Sequence, residues 1–231
     1  QAVAPGSPAA AAGLTRNAAL LDLNGAIITE AFPPSDPRWQ RMVSVNAAID
    51  AALTEGPARF GWASAGEVPQ RAVVTGVLAC PSRFEVLDGG KRAVADGSRV
   101  IFGRDFAGFA YAEDEFAAAV AHELAHNLLK HRKMFDAVGR SQSLVRLTER
   151  DADRMMPWLL YNAGYDPRAA VRFMTRWGPK YGGGLLRDRS HDGWDERVEF
   201  IEAEIATMEA ALAETGAADW SQRFVPMAKP E

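Results

Sequence analysis

Three of the chain's four histidines fall within AVAHELAHNLLKH, Ala119 to His131. His122 and His126 stand four apart, so a helix presents both imidazoles on one face, one turn apart. At that spacing two neutral imidazoles can chelate a single Zn²⁺ at about 2.0–2.1 Å each, and a glutamate beside the first can reach water at the metal without being a ligand. His122-Glu123-Leu124-Ala125-His126 is that H-E-x-x-H arrangement. The plainer alternative is two histidines that hydrogen-bond within a core. A catalytic zinc takes a third protein ligand and keeps its fourth position for water or substrate. His131 lies beyond the metal face of the helix and His191 is far along the chain, which brings carboxylates into consideration. In LTERDADRMMPWLLYNAGYDP, Glu149 and Asp153 share one helical face, and Asp151 sits on another that is expected to meet solvent. One carboxylate of the pair can bind metal while the other braces an imidazole. Without H-E-x-x-H, both would read as surface charges paired with Arg150 or Arg154.

These residues need elements to hold them. Phe116, Val120, Leu124 and Leu128 recur every fourth position and give the histidine helix an apolar stripe. From Glu113 the pattern is helical almost to the end, with interruptions near Gly139–Ser143, Gly164–Pro167 and Gly178–Gly184. Val198, Ile201, Ile205, Met208 and Leu212 form a packing stripe on the last helix. Pro157 removes a hydrogen bond to the Asp153 carbonyl and is expected to kink its helix. His131, in KHRK, is expected to be structural, ending its helix where positive charge suits the dipole. Upstream, Trp39 to Leu53 carries Met42, Val45, Ile49 and Leu53 at helical spacing, after the proline-rich FPPSDP. Three β-branched runs follow: Ala72 to Ala79, Phe84 to Val94 with a turn at Asp88-Gly89, and Ser98 to Phe102 after Asp96-Gly97. They suggest a small sheet with hairpin turns. Strands followed by helices make an α+β fold. Ser98 to Phe102 is the candidate edge for an extended peptide, and Gly178 to Gly184 the candidate mobile loop.

HELAH, then Glu149-x-x-Ala152-Asp153, NAGYDPRAAVRF and SHDGWDERV together resemble the gluzincin metallopeptidases related to the CAAX prenyl endopeptidase and the heat-shock membrane protease HtpX, in soluble bacterial form. The resemblance is strong from Ala112 to Phe200 and weak before Ser98. It implies a mostly helical, zincin-like metallopeptidase domain with a small sheet before the H-E-x-x-H helix. It also implies that Glu149 is the third Zn²⁺ ligand beside His122 and His126, and that Asp153 supports a ligand histidine. His191 is implied to face the zinc from the opposite wall, and Arg197 to help place His191 or the substrate. Asp192 stands where a proline commonly follows that histidine. The implied activity is zinc-dependent endopeptidase cleavage of peptide or unfolded protein, with Glu123 as general base, in bacterial envelope quality control or processing. A reading from another class is a zinc-stabilised binding or chaperone-like module whose site is latent.

The rest of the composition narrows the field. With 26 basic and 30 acidic residues and a net charge of −4, the chain has no long-range attraction for nucleic acid or anionic lipid. No apolar run approaches the roughly 20 residues that cross a bilayer. The single cysteine, Cys80, cannot form an internal disulfide and reads as a small buried hydrophobe. The opening QAVAPGSPAAAAG looks like the tract that follows a removed signal peptide, so a periplasmic or otherwise exported protein is expected. Residues 1–37 are expected to be a flexible N-terminal segment, and 38–231 a single zinc metallopeptidase domain. Nothing in the pattern indicates an oligomeric state.

Overall fold

The computed structural model describes residues 3–4, 6–35, 38–79, 82–181 and 192–229. The chain forms two compact units, Gln1–Cys80 and Pro81–Glu231. The boundary thus falls well beyond the expected one at 37/38, because much of the first 37 residues is folded. After helix α1 (Pro8–Ala11), strand β1 (Ala19–Leu23) turns through Asn24 and Gly25 into β2 (Ala26–Ile27) and the short helix α2 (Ile28–Ala31). Asn24 has φ 51° and Gly25 φ 89°, both left-handed, as a two-residue hairpin of this hand requires. Helix α3 (Arg38–Glu55), β3 (Ala58–Ala63) and β4 (Gln70–Val74) complete the unit. The antiparallel sheet has the order β2-β1-β3-β4. Val45, Ile49 and Leu53 of α3 pack against its buried Leu23, Phe60, Trp62 and Val74. The run expected to extend from Ala72 to Ala79 stops at Val74, and Cys80 lies outside the described residues.

The second unit contains β5 (Arg83–Leu87), β6 (Ala93–Ala95) and β7 (Arg99–Gly103), followed by the helices. Its sheet has the order β5-β7-β6. The Asp96-Gly97 turn closes the β6–β7 hairpin, with Asp96 Oδ1 accepting from the Ser98 and Arg99 amides at 3.0 and 2.8 Å. Asp88-Gly89 closes no hairpin, since β5 runs parallel to β7. The chain there crosses the end of β7 instead: a Cβ on Gly103 would stand 2.3 Å from the Gly90 carbonyl oxygen, so two backbones meet where no side chain fits. Ser98 to Phe102, the expected edge, is accordingly the central strand, and the edges are β5 and β6.

Helices α4 (Glu113–Leu128), α5 (His131–Val138), α6 (Gln142–Asn162), α7 (Ala169–Tyr181), α8 (Trp194–Thr215) and α9 (Trp220–Arg223) supply the rest. Val100 and Phe102 of β7 are buried in one cluster with Ala118 and Ala121 of α4, Met156 of α6, Phe173 of α7 and Ile201 and Ile205 of α8. The architecture is α+β, with the small three-stranded sheet preceding the helices in sequence. Helix α6 continues through Pro157, and α7 continues through Gly178 to Tyr181. The rest of the expected glycine loop lies outside the described residues. Among the described residues no helix is long and apolar enough to cross a membrane.

Candidate metal centre

Helices α4 and α6 can approach closely because small residues stand where they meet: Ala125 and Ala152 are both fully buried in a shared cluster. Helix α4 begins with Glu113, Asp114 and Glu115, whose charge suits the positive end of its dipole. Ser141 caps α6 by accepting from the Leu144 amide at 3.2 Å. At the other end of α4, Asn127 accepts from the Gly97 amide at 2.8 Å and donates to Ser82 Oγ at 3.0 Å and the Arg99 carbonyl at 3.1 Å. One buried amide therefore sets the register of α4 against the β6–β7 turn.

Across the contact, three donors converge. The Nε2 atoms of His122 and His126 are 3.3 Å apart, His122 Nε2 is 3.4 Å from one Glu149 oxygen, and His126 Nε2 is 3.5 Å from the other. The corners of a tetrahedron with bonds of about 2.0–2.1 Å stand about 3.3–3.4 Å apart, so each of these pairs lies close to the edge length of such a coordination sphere, the carboxylate turning one oxygen to each imidazole. His122, His126 and Glu149 can hold a metal ion.

Each imidazole is backed differently. Nδ1 of His122 is 3.0 Å from Oδ1 of Asp153, which is fully buried. The Arg197 guanidinium grips that carboxylate through two bonds, Nε to Oδ2 at 2.6 Å and Nη2 to Oδ1 at 2.7 Å. Burial favours a neutral Asp153, but Arg197 and His122 outweigh it and hold the carboxyl below its ordinary value. For His122 burial opposes charge, yet Asp153 and Glu149 raise its pKa to about 10 when no metal is present. Burial lowers that of His126 to about 4. Arg197, expected to help place His191 or the substrate, grips Asp153 with its fork and so reaches the site through that carboxylate. His191 itself lies outside the described residues.

Behind His126 stands His131, Nδ1 to Nδ1 at 2.8 Å. It does not end the first helix as expected. Helix α4 stops at Leu128, Lys130 takes the left-handed conformation at φ 58°, and His131 opens α5 with 1% of its surface exposed. Sequence reasoning misses this contact, because five positions along a continuous helix would point elsewhere; the clue is a third histidine so close to the pair.

Glu123 is largely buried, and that burial, with the nearby Glu149 charge, raises its pKa although His122, Arg197 and a hydrogen bond from the Ala95 amide of β6 oppose the shift. Asp151, expected in solvent, is fully buried; it accepts from the Met227 and Ala228 amides at 2.9 and 2.8 Å and from Arg154 at 3.1 Å. It ties the chain's last described residues to the helix that carries Glu149. Asp192 is also buried and takes two bonds from Arg150, at 2.5 and 3.0 Å. An arginine next to Glu149 thus fixes Asp192. In comparisons with known proteins, no family model matches this chain and no curated protein matches it.

Proposed function

We propose that this chain is a zinc-dependent endopeptidase that hydrolyses peptide or unfolded protein. The observation that carries the reading is the position of Glu123: it lies on the same helix as the histidine pair, outside the His122, His126 and Glu149 donor set, and in a burial that raises its pKa. A structural zinc site closes its four positions with ligands and has no use for such a base. Two histidines and a carboxylate suit zinc. Bound there, zinc would lower the pKa of a water molecule toward about 7 and polarise a carbonyl.

This chain's own groups do the rest. Glu123, with its pKa raised from the ordinary carboxylate value, takes the proton of the attacking water and returns it to the departing amine. The Ala95 amide bond holds its carboxylate against the sheet. Asp153, fixed by Arg197, keeps the His122 ring turned with Nε2 toward Glu149. An extended substrate pairs with the edge strand beside α4, which is β6. The resemblance carried by HELAH and the Glu149–Asp153 segment supports a setting in the bacterial cell envelope.

The test is casein or quenched-peptide cleavage with zinc, with and without chelator, on the full chain and on Glu123→Gln. Glu123→Gln keeps its zinc and loses turnover by about 10²–10⁴-fold. Unchanged proteolysis by that variant, or chelator-insensitive cleavage, would end the assignment.

A further inference from the structure

The two ligand imidazoles share a task but not a support. A histidine that binds metal through Nε2 must carry its proton on Nδ1 and normally donates it to a carboxylate or a carbonyl. Beside the Nδ1 of His122 stands the Asp153 carboxylate, Oδ1 at 3.0 Å. Among the described residues no hydrogen bond from either kind of oxygen meets the Nδ1 of His126; the atom 2.8 Å away is Nδ1 of His131. The rings meet nearly edge to face, 4.9 Å between centres at 74°. One hydrogen lies between those nitrogens, and it has two places to be. On His131 it leaves the His126 proton on Nε2, aimed at Glu149. On His126 it leaves Nε2 bare, with its lone pair directed to the point where Glu149 and His122 converge.

We propose that His131 is a positioning residue for His126: its bare Nδ1 accepts from His126 Nδ1–H and so selects the ligand tautomer. This rests on the metal-centre reading above. The backbone is built for the contact, with Lys130 held left-handed at φ 58° and His131 buried at the first position of α5. The arrangement places the remaining His131 proton on Nε2, an atom that is buried and has no hydrogen-bond partner among the described residues. That unpartnered N–H is a cost, offset when His126 Nε2 is freed to bind metal; an apolar ring would fill the space without it. The acceptor at Nδ1 is the reason to keep an imidazole.

Three full-length proteins decide this: the unmutated chain, His131→Phe, which keeps a ring but no acceptor, and His131→Asn, whose amide oxygen stands near the lost Nδ1. Zinc affinity is measured by competition with a chromophoric chelator, with circular dichroism confirming the fold. His131→Phe binds zinc about 10–100-fold more weakly, and His131→Asn recovers most of the loss. Long-range ¹H–¹⁵N spectra of the unmutated zinc-loaded protein show His131 protonated on Nε2 alone and His126 on Nδ1. Unweakened binding by folded His131→Phe, a loss in His131→Asn as large as in His131→Phe, or a proton on His131 Nδ1 would overturn the proposal while leaving the metal centre standing. Failure of the unmutated chain to bind zinc more tightly than Glu149→Ala would instead remove the metal centre, and this role with it. If His131→Phe does not fold, the tautomers seen in the ¹H–¹⁵N spectrum of the unmutated protein decide between the two placements of the proton.

Discussion

Asp22 in residues 1–80 and Asp153 in residues 81–231 are both aspartates with almost no exposed surface, and their surroundings differ sharply. Asp22 lies at the margin of an apolar core, over Gly61, and its cationic partner Arg71 is 3.4 Å away with a side chain 65% exposed. Asp153 has no contact with solvent; its partners Arg197 and His122 are themselves withdrawn from water. Burying charge costs several kcal/mol per ion and is tolerated only when partnering is complete. The first unit avoids that cost by leaving one partner wet. The second accepts it at the helix contact that orders the metal donors, which marks a place where position matters more than stability.

The sharpest way to break the contrast is Arg197→Ala. It leaves the Asp153 charge buried and uncompensated, and should lower stability by about 3–5 kcal/mol in urea unfolding. A change within about 1 kcal/mol would mean the pair is better hydrated than its burial indicates. Next in size is Asp153→Asn, expected to weaken zinc binding by about 10–100-fold in chelator competition, because the anionic support of His122 is lost. Wild-type affinity in that variant would detach the support from the metal.

Acidity sharpens the comparison further, since the titrating imidazoles all lie in the second unit. Burial holds the pKa values of His126 and His131 at about 4 and about 3. The unfolded chain takes up those protons near 6.5, so metal-free stability falls as pH drops from 6.5 toward 4. His122 acts in the opposite sense: raised to about 10 against the effect of burial by Asp153 and Glu149, it contributes fully below 6.5 and loses that contribution as pH rises through 10. The chelated protein should therefore be most stable near pH 6.5, and zinc, by replacing the proton on His122, should remove the alkaline decline. Urea midpoints between about pH 4 and pH 10 check this, and a flat profile would contradict it. The smallest effect belongs to the first unit. Asp22→Asn removes one half-wet ion pair and should cost under about 1 kcal/mol by thermal unfolding.

What can be read from residues alone follows the period of the helix. H-E-x-x-H and the Glu149–Asp153 spacing each need only one helix to bring their members onto a face, and both lie within single helices, α4 and α6. The stripe of Ile201, Ile205 and Met208 is buried for the same reason. Contacts between elements are not legible in this way. Asp151 reads as solvent-facing because its face differs from that of Glu149, but the chain's end returns to cover that face. Ser98 to Phe102 reads as an edge because nothing local reveals that β5 pairs in parallel across it. The first 37 residues hold a readable signal, Asn24-Gly25 between apolar runs, which the Ala- and Pro-rich opening obscures.

The left-handed turn at Lys130 has a consequence for how this centre tolerates change. At about 100° per residue, an uninterrupted helix would carry position 131 roughly 140° around the axis from position 126, and the two rings could not touch. Only the break lets a sequence gap of five behave as a neighbouring pair. A substitution or short insertion that persuades α4 to run on by one more turn would leave every ligand in place by sequence, yet strip the second imidazole of its companion. Chains that keep the motif but lose the kink are where a decoupling of metal affinity from motif content should be sought.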